Sequence, residues 1–143
     1  MAIGKVLAST GIVEVDTAYP SGPTWITVGG LLSVVKESAD TREDVGGLTD
    51  QLRHVKTDTQ PRWRARAYLL ADPATPGTRD AGQAFLNTLA QQLYSASIGR
   101  VRITRSGGLT QTFICTVDVV DPADDIDGYA TWEATFWVAG PTT

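Results

Sequence analysis

The residue types that most often carry out catalysis are sparse in this chain. One histidine, His54, and one cysteine, Cys115, occur among its 143 residues. No serine or cysteine nucleophile motif surrounds His54, which argues against a catalytic triad. Cys115 shares one face of a predicted strand with Phe113, Val117 and Val119, which makes it a small core residue rather than a nucleophile. The sequence therefore predicts that the protein is not an enzyme, with no catalytic and no cofactor-binding residues.

A cluster of aspartates could bind a cation. Asp121, Asp124, Asp125 and Asp127 crowd carboxylate oxygens into one turn, which is the raw material of a calcium site. The spacing differs from the twelve-residue calcium loop, because no acidic residue stands at the closing position. We therefore predict turn residues that cap and bend the chain, and no metal site.

The arginines are the remaining candidates for binding chemistry. Six of them fall on predicted strands or at their ends: Arg62, Arg64, Arg66, Arg100, Arg102 and Arg105. They could meet a polyanion, but the net charge of -4 and the pI of about 4.8 argue against a general nucleic-acid binder. Cross-strand pairing with acidic residues is the simpler interpretation. The predicted partners are Glu14, Asp16, Asp118 and Glu133.

Length and composition indicate one domain, residues 1–143, made in a cytoplasm. A chain of this size buries enough surface to fold without disulfide bridges, and a single cysteine cannot form an internal one. No apolar run approaches the roughly 18 residues that span a bilayer. The first 15 residues lack a continuous hydrophobic signal region.

Alternating patterns predict a mainly β (α+β) fold with about seven strands and one mid-chain helix. The strands are expected in two packed antiparallel sheets or in a partly closed β-barrel. Their predicted positions are 12–16, 24–28, 31–35, 62–70, 100–105, 110–120 and 129–138. Between the second and third, Gly29-Gly30 marks either a sharp bend at a sheet corner or an ordinary turn.

The helix is predicted over residues 80–98. Its apolar stripe consists of Phe85, Leu86, Leu89 and Leu93. Asp80 and Gln83 have the spacing of a capping box, in which the glutamine side chain reaches back to the start of the helix. Gly99 is the predicted C-terminal stop.

The opposite face of this helix carries no charge. Gln83, Asn87, Gln91 and Ser95 step along it at intervals of four. A neutral amide face indicates either an interface with a neighbouring subunit or an ordinary solvated surface, and we expect the interface at Asn87 and Gln91. Trp137, on the polar face of the last strand, is a second candidate interface anchor.

A long loop or arm is predicted at about 42–61, within a stretch from 37 to 61 that has no clear sheet pattern. Leu48, Leu52 and Val55 have the spacing of apolar anchors on a short helix or on an arm that docks elsewhere, although they could also fold back on their own domain. With Gly46, they are candidate contacts with another subunit.

The order of elements resembles the major tail tube proteins of long-tailed, non-contractile bacteriophages, within the wider superfamily of tail tubes and type VI secretion tubes. The segments that carry the resemblance are 24–31, the start of the long loop at 38–41, Arg62-Trp63, the mid-chain helix, and a closing strand ending at Gly140. The resemblance implies a small β-sandwich that assembles into stacked hexameric rings. It also implies that each subunit contributes about four strands to a lumen barrel and that the long loop reaches a neighbouring ring.

The resemblance further implies the partners and location. The protein would bind other copies of itself, a tape measure protein and a tail terminator, in the virion tail. DNA would pass through the lumen into the host without specific binding. Two alternatives are another tail component, such as a connector or the tube of a contractile tail, and a monomeric β-sandwich binding module. The module would use as its platform Trp25, Trp63, Trp132 or Trp137.

Overall fold

The computed structural model describes residues 11–44, 54–70, 74, 78–120 and 130–140. Seven strands and one α-helix account for most of them. The elements are β1 (Ile12–Asp16), β2 (Trp25–Thr27), β3 (Leu31–Asp44), β4 (His54–Tyr68), α1 (Ala81–Ala90), β5 (Ile98–Thr104), β6 (Thr110–Val120) and β7 (Thr131–Val138). A short 3₁₀ helix, Tyr94–Ser97, precedes β5. No helix among these described residues is long and apolar enough to cross a membrane.

The strands form a single antiparallel sheet in the order β2-β1-β5-β6-β7-β4-β3. The predicted class, mainly β with one mid-chain helix, is confirmed. Of the two predicted arrangements, the partly closed barrel is nearer to the structure, because all seven strands belong to one continuous sheet that coils without closing. β6 makes the continuity possible because residues 110–116 pair with β5 and residues 115–120 pair with β7.

The corner of the coil lies at Gly29-Gly30. β2 pairs with β1 at one end of the strand order, and β3 pairs with β4 at the other. The two glycines therefore carry the chain from one edge of the sheet to the opposite edge. Gly30 has φ 72°, a left-handed conformation that glycine adopts without strain. The bend at a sheet corner is thus the correct interpretation of this pair.

The core fills the concave side of the coiled sheet. Alternate residues of the strands point inward, as period-two patterns require. Trp63 and Phe113 stack with ring centroids 6.0 Å apart, and both are almost fully buried. The other large buried apolar side chains are Val13, Val15, Leu86, Val101, Ile103, Cys115, Trp132 and Phe136. The predicted core role of Cys115 is confirmed.

The helix begins where it was predicted to begin. Asp80 is the N-cap, and its carboxylate accepts hydrogen bonds from the backbone N–H groups of Gly82 and Gln83. The same carboxylate accepts the N–H of Gly29 at 3.1 Å. One side chain therefore fixes both the start of the helix and the corner of the sheet.

Two details of the predicted helix are wrong at Gln83. Its side chain does not reach back to the cap, and it is fully buried rather than on an outer face. The amide donates to the carbonyls of Gly29 (3.0 Å) and Tyr68 (2.7 Å) and accepts the N–H of Leu70 (3.3 Å). Buried backbone groups at the corner need such partners, and the neutral amide supplies a donor and an acceptor at once.

The helix also ends earlier than predicted, at Ala90 instead of Ile98. Leu93, expected in the apolar stripe, is 73% exposed, and Tyr94 is 90% exposed with φ 56°. Gly99 is not a helix stop but a buried residue of β5. A Cβ at position 99 would lie 2.6 Å from a Leu89 methyl group, so glycine lets the Leu89 side chain pack directly on β5.

Strand structure replaces the unpatterned loop expected from residue 37 onward. β3 continues to Asp44 and β4 starts at His54, and the two pair along their whole length. Beyond Glu37 and Arg62 no third strand joins them in the described part of the chain. We call this two-stranded extension, residues 38–44 and 54–61, the ribbon. Residues 45–53 lie outside the described residues.

Candidate functional site

The convex side of β6-β7-β4-β3 carries the arginines of β4, and we call it the arginine face. Its residues lie in rows across the strands, fixed by the pairing register. The three rows are Val120–Glu133–Arg66–Ser33, Asp118–Thr135–Arg64–Val35 and Thr116–Trp137–Arg62–Glu37. Three arginines therefore stand among three carboxylates and several small polar residues.

Two of the three arginines of this face, Arg62 and Arg64, are paired within the sheet, and Arg66 is exposed. Arg62 contacts Glu37 at 2.8 Å, and Arg64 also forms an ion pair with Glu37. Arg64 lies 3.6 Å from Glu133, which is directly opposite Arg66 in the register. The predicted cross-strand pairing is confirmed for Glu133, and the sequence reasoning missed Glu37 because it placed that residue in a loop.

On β1 and β5, two further predicted pairs are confirmed. Arg102 binds Glu14 through two hydrogen bonds of 3.1 and 2.8 Å. Arg100 lies 3.3 Å from Asp16, whose side chain is fully buried. The other oxygen of Asp16 accepts the N–H groups of Ala18 and Thr24 at 2.9 Å each. This carboxylate thus holds the turn between β1 and β2.

Aromatic rings cover several of these guanidinium groups. Arg62 lies 5.0 Å from the ring centroid of Trp137, and Arg102 lies 4.4 Å from that of Trp25. Trp137 donates its indole N–H to Asp118 at 2.9 Å. A guanidinium held between a ring and a carboxylate has few donors left for phosphate. The arginine face is therefore close to neutral and poorly suited to bind DNA.

An aromatic binding platform is not present among the described residues. Trp63 and Trp132 are buried in the core. Trp25 and Trp137 are half-buried under arginines on strands separated by β1, β5 and β6. The predicted platform for a monomeric binding module therefore has no support.

The four strands of the arginine face have two open edges. β3 is the last strand of the sheet over all of its 14 residues. On the other side, β6 pairs with β5 only as far as Thr116, so in the described structure no strand pairs with residues 117–120 on that side. Exposed aliphatic side chains lie at both edges on the arginine face, Val35 at 43% and Val120 at 62% exposure. Open edges with exposed apolar residues are ready-made sites for strand addition.

The end of α1 lies beside the open edge of β6. A shallow groove of about 210 Å³ separates them, lined by Asn87, Ala90, Gln91, Asp118 and Val119. Two predicted interface residues, Asn87 and Gln91, thus flank the edge where a strand could be added. Asn87 is not simply solvent-facing, because its Oδ1 accepts the indole N–H of buried Trp132 at 2.8 Å.

The ribbon is held by ion pairs around Asp40. Lys56 lies 2.9 Å from its carboxylate and Arg42 lies 3.6 Å away. Hydrogen bonds from Ser38 and Lys56 hold the pKa of Asp40 below its ordinary value of 3.8. A two-stranded hairpin alone is marginally stable in water, so a ribbon of this length requires such pairs or a partner.

Groups for catalysis or metal binding are lacking in the part of the chain that is described. Burial raises the pKa of Cys115 to about 12, so its thiol is unreactive at neutral pH. No group of three or more histidine, cysteine or acidic residues among the described ones could hold a metal ion. The Asp121–Asp127 cluster lies outside the described residues, as do Gly46, Leu48 and Leu52. Val55 is described only by its backbone, which pairs with Glu43.

Comparisons with known proteins give fold matches only. No protein-family model and no curated protein matches the chain. A chain from the virion of a native gene transfer agent particle aligns over 96% of both chains, with a TM-score of 0.64 and 12% identity. A chain from the tail of an empty gene transfer agent particle, solved with C6 symmetry, covers 92% of both at a TM-score of 0.60 and 14% identity.

A third match comes from the sheath/tube terminator of an extracellular contractile injection system, PVC, in its extended state. It covers 100% of this chain and 99% of that one, with a TM-score of 0.51 and 14% identity. The protein thus shares its fold with chains of tail particles from both a gene transfer agent and a contractile system. The matches do not distinguish the non-contractile type that the sequence resemblance favoured.

Proposed function

We propose that the protein is a structural virion protein that assembles into stacked hexameric rings and so builds a tail tube for DNA ejection. The observation that carries the proposal is the four-stranded section β6-β7-β4-β3, which has an open edge on each side. The fold matches to tail particles, one of them solved with C6 symmetry, support it. The protein has no catalytic role in this proposal.

Rings close by strand addition. Consecutive strands of the section are antiparallel, so β3 and β6 run in opposite directions. Rotation about a ring axis keeps the strand directions of the next copy, and β3 of one copy meets β6 of the next in antiparallel orientation. The added strand fits the groove beside Asn87 and Gln91, and it brings Val35 next to the neighbour's Val120. Each copy thereby pairs the edges that would otherwise risk uncontrolled aggregation.

The arginine face lines the lumen. A ring of six such sections has 24 strands about 4.8 Å apart, a circumference of about 115 Å and a diameter of about 37 Å before tilt widens it. The rest of each subunit lies on the other side of the section, and a domain of this size has a radius of gyration of about 14 Å. Six such bodies do not fit inside the ring, so they lie outside and the arginine face points inward.

A lumen of this chemistry suits DNA passage. Unpaired lysines or arginines would retain phosphate by counterion release. On the arginine face Arg62 and Arg64 are occupied by carboxylates, and Arg66 stands opposite Glu133 in the register. Trp137 covers Arg62, which is a different role for Trp137 from the predicted interface anchor. DNA therefore meets a surface that is close to neutral and moves through without specific contacts.

Stacking of rings uses the ribbon and the residues between its two strands. We propose that Gly46, Leu48, Leu52 and Val55 form the contact between rings, as the resemblance implied for the long loop. In the assembled virion tail, a tape measure protein inside the tube and a tail terminator at its end complete the set of partners. The protein is synthesised in the host cytoplasm before assembly.

Cross-linking tests the ring contact. Because Cys115 is buried, cysteines introduced as Val35→Cys and Val120→Cys are the reactive thiols. Within one subunit they are three strand spacings apart, about 14 Å, so a bismaleimide shorter than this links only neighbours. We expect a ladder of covalent oligomers that ends at six subunits.

The matched control is Val35→Cys alone, because its thiols in neighbouring subunits of a ring would be four strand spacings apart, about 19 Å. It should remain monomeric on a denaturing gel. An equal ladder from this single variant, or none from the double variant, would overturn the proposed ring contact.

A further inference from the structure

A groove lies where the coiled sheet fails to close. It separates the start of β3 from the turn between β5 and β6 and has a volume of about 660 Å³. Its apolar lining consists of Leu31, Leu32, Val34 and Leu109. Leu109 is 63% exposed, and Leu32 is 44% exposed. We call it the seam groove.

Two cations stand at this groove without a carboxylate partner in the described part of the chain. Arg105 lines the groove, and Lys36 lies on the same face of β3 as Val34, two residues further on. Both are 5.5 Å from the ring centroid of Trp63, so the two charges lie at most 11 Å apart. The groove therefore suits an occupant that combines acidic groups with apolar ones.

The ribbon has the complementary charge. It contains the acids Asp40, Glu43, Asp44 and Asp58, against only two bases, Arg42 and Lys56. Both bases contact Asp40, and Glu43 is exposed. The ribbon is thus an acidic element that projects from the sheet.

Groove and ribbon lie at opposite ends of one strand. Ten residues of β3 separate Val34 from Asp44, a distance of about 33 Å at the usual rise of a strand. A subunit cannot bring its own ribbon end back to its own seam groove without breaking β3. A second copy, placed head to tail, can supply it.

We propose that the seam groove is the receptor for the ribbon of a subunit in the adjacent ring, with Lys36 and Arg105 binding its acidic residues. This inference rests on the proposed function, because it presumes rings that stack. It identifies the surface that receives the ribbon, which the sequence did not indicate. The contact is heterologous, so it repeats along the axis without closing and produces a tube of indefinite length.

Charge reversal tests the inference with the full-length protein. The groove variant is Lys36→Glu with Arg105→Glu, and the ribbon variant is Glu43→Lys with Asp44→Lys. Each is expected to form rings but to lose stacking, with tube yield in negative-stain images falling about tenfold or more, because like charges then face each other. Combining all four substitutions in one chain should restore the tubes. Arg66→Glu, a single charge reversal on the arginine face, is the control and should still stack.

The outcomes separate the inference from the proposed function. Normal tubes from the groove variant, or no rescue by the combined variant, would overturn the inference while the ring contact stands. Absence of rings from the unaltered protein at every concentration would overturn both. If the groove variant has a much lower melting temperature than the unaltered protein, the ribbon variant tests the inference instead, because Glu43 is exposed and its substitution should not unfold the subunit. Tubes of normal length from the ribbon variant would then overturn the inference.

Discussion

Asn87 lies in the last turn of α1 and Gln91 is its C-cap, and lysine at each should have different consequences. Asn87→Lys removes the acceptor of the Trp132 indole N–H, and Trp132 is fully buried. Leaving such a donor without a partner costs about 1–3 kcal/mol. For a domain of this size we expect the melting temperature to fall by roughly 2–4 °C for each kcal/mol.

Gln91→Lys should behave differently because Gln91 is exposed and lines the groove beside β6 without a hydrogen bond to a buried side chain in the described structure. We expect a change in the free energy of unfolding within about 0.5 kcal/mol. Assembly should be lost, since six copies of the charge would be desolvated at six identical contacts. The sequence placed both side chains on an outer face of the helix, and the hydrogen bond to Trp132 gives Asn87 a structural role as well.

The assay pairs a thermal melt of the subunit with light scattering of its polymerisation. The reasoning predicts a lowered melt for Asn87→Lys and an unchanged melt with lost scattering for Gln91→Lys. Normal scattering of Gln91→Lys would refute the placement of the end of α1 in an interface. An unchanged melt of Asn87→Lys would refute the structural role of the Trp132 hydrogen bond.

Three further predictions concern the subunit alone. Gly82→Ala should lower the melting temperature, because its Cβ would lie 2.7 Å from the Thr27 carbonyl oxygen. Overpacking costs about 1–3 kcal/mol, which exceeds the roughly 1 kcal/mol that alanine gains over glycine in helix preference. The control Gly22→Ala, whose Cβ would have nothing within 4 Å, should keep the melting temperature of the unaltered protein. The Cys115 thiol should resist a thiol reagent at pH 8 until the protein unfolds, and rapid labelling of the folded protein would contradict this. Burial raises the pKa of this thiol from 9.0 to about 12, so its contribution to stability is complete below pH 9 and is lost as the pH rises toward 12. The lowered pKa of Asp40 stabilises the folded state above pH 3.8, and this effect is lost as the pH falls through the folded pKa. The unaltered protein should therefore have a higher melting temperature than Asp40→Asn at neutral pH, and the two melting temperatures should converge in acid. A difference that stays constant with pH would contradict the assignment.

Sequence reasoning correctly predicted the strands in which apolar and polar residues alternate because one face of the strand is buried. β1, β6 and β7 alternate between core and surface, and their bounds lie within two residues of the predicted ones. The same alternation placed Cys115 in the core and Trp137 on the opposite face. The helix start was also readable, because Asp80 is an N-cap with two backbone partners.

The ribbon could not be recognised because none of its side chains whose burial is described is buried. Residues 38–44 and 54–61 are mostly polar on both sides, so the period-two signal on which strand prediction relies is absent. Pairing between the two strands and the Asp40 ion pairs hold it instead, and both depend on contacts between residues distant in sequence. The seam groove was missed for the same reason, since it exists only once β3 meets the turn between β5 and β6.

Gln83 and Leu93 show the limit of helical periodicity. The spacing of apolar residues placed Leu93 in the core and Gln83 outside, yet Gln83 is buried and Leu93 exposed. The corner at Gly29-Gly30 has backbone groups that need an amide beside them, and this need is invisible in the helix sequence. The helix ends before Leu93 because the chain must turn at Tyr94 to enter β5.

The most direct test of the account is a cryo-EM reconstruction of the purified protein after assembly, at a resolution that separates β-strands. We expect a hollow tube of six-subunit rings in which β3 of each copy pairs with residues 117–120 of β6 in the next, and in which Arg62, Arg64 and Glu37 line the lumen. A tube with α1 facing the lumen, or one in which the edge of β3 remains unpaired, would contradict the account.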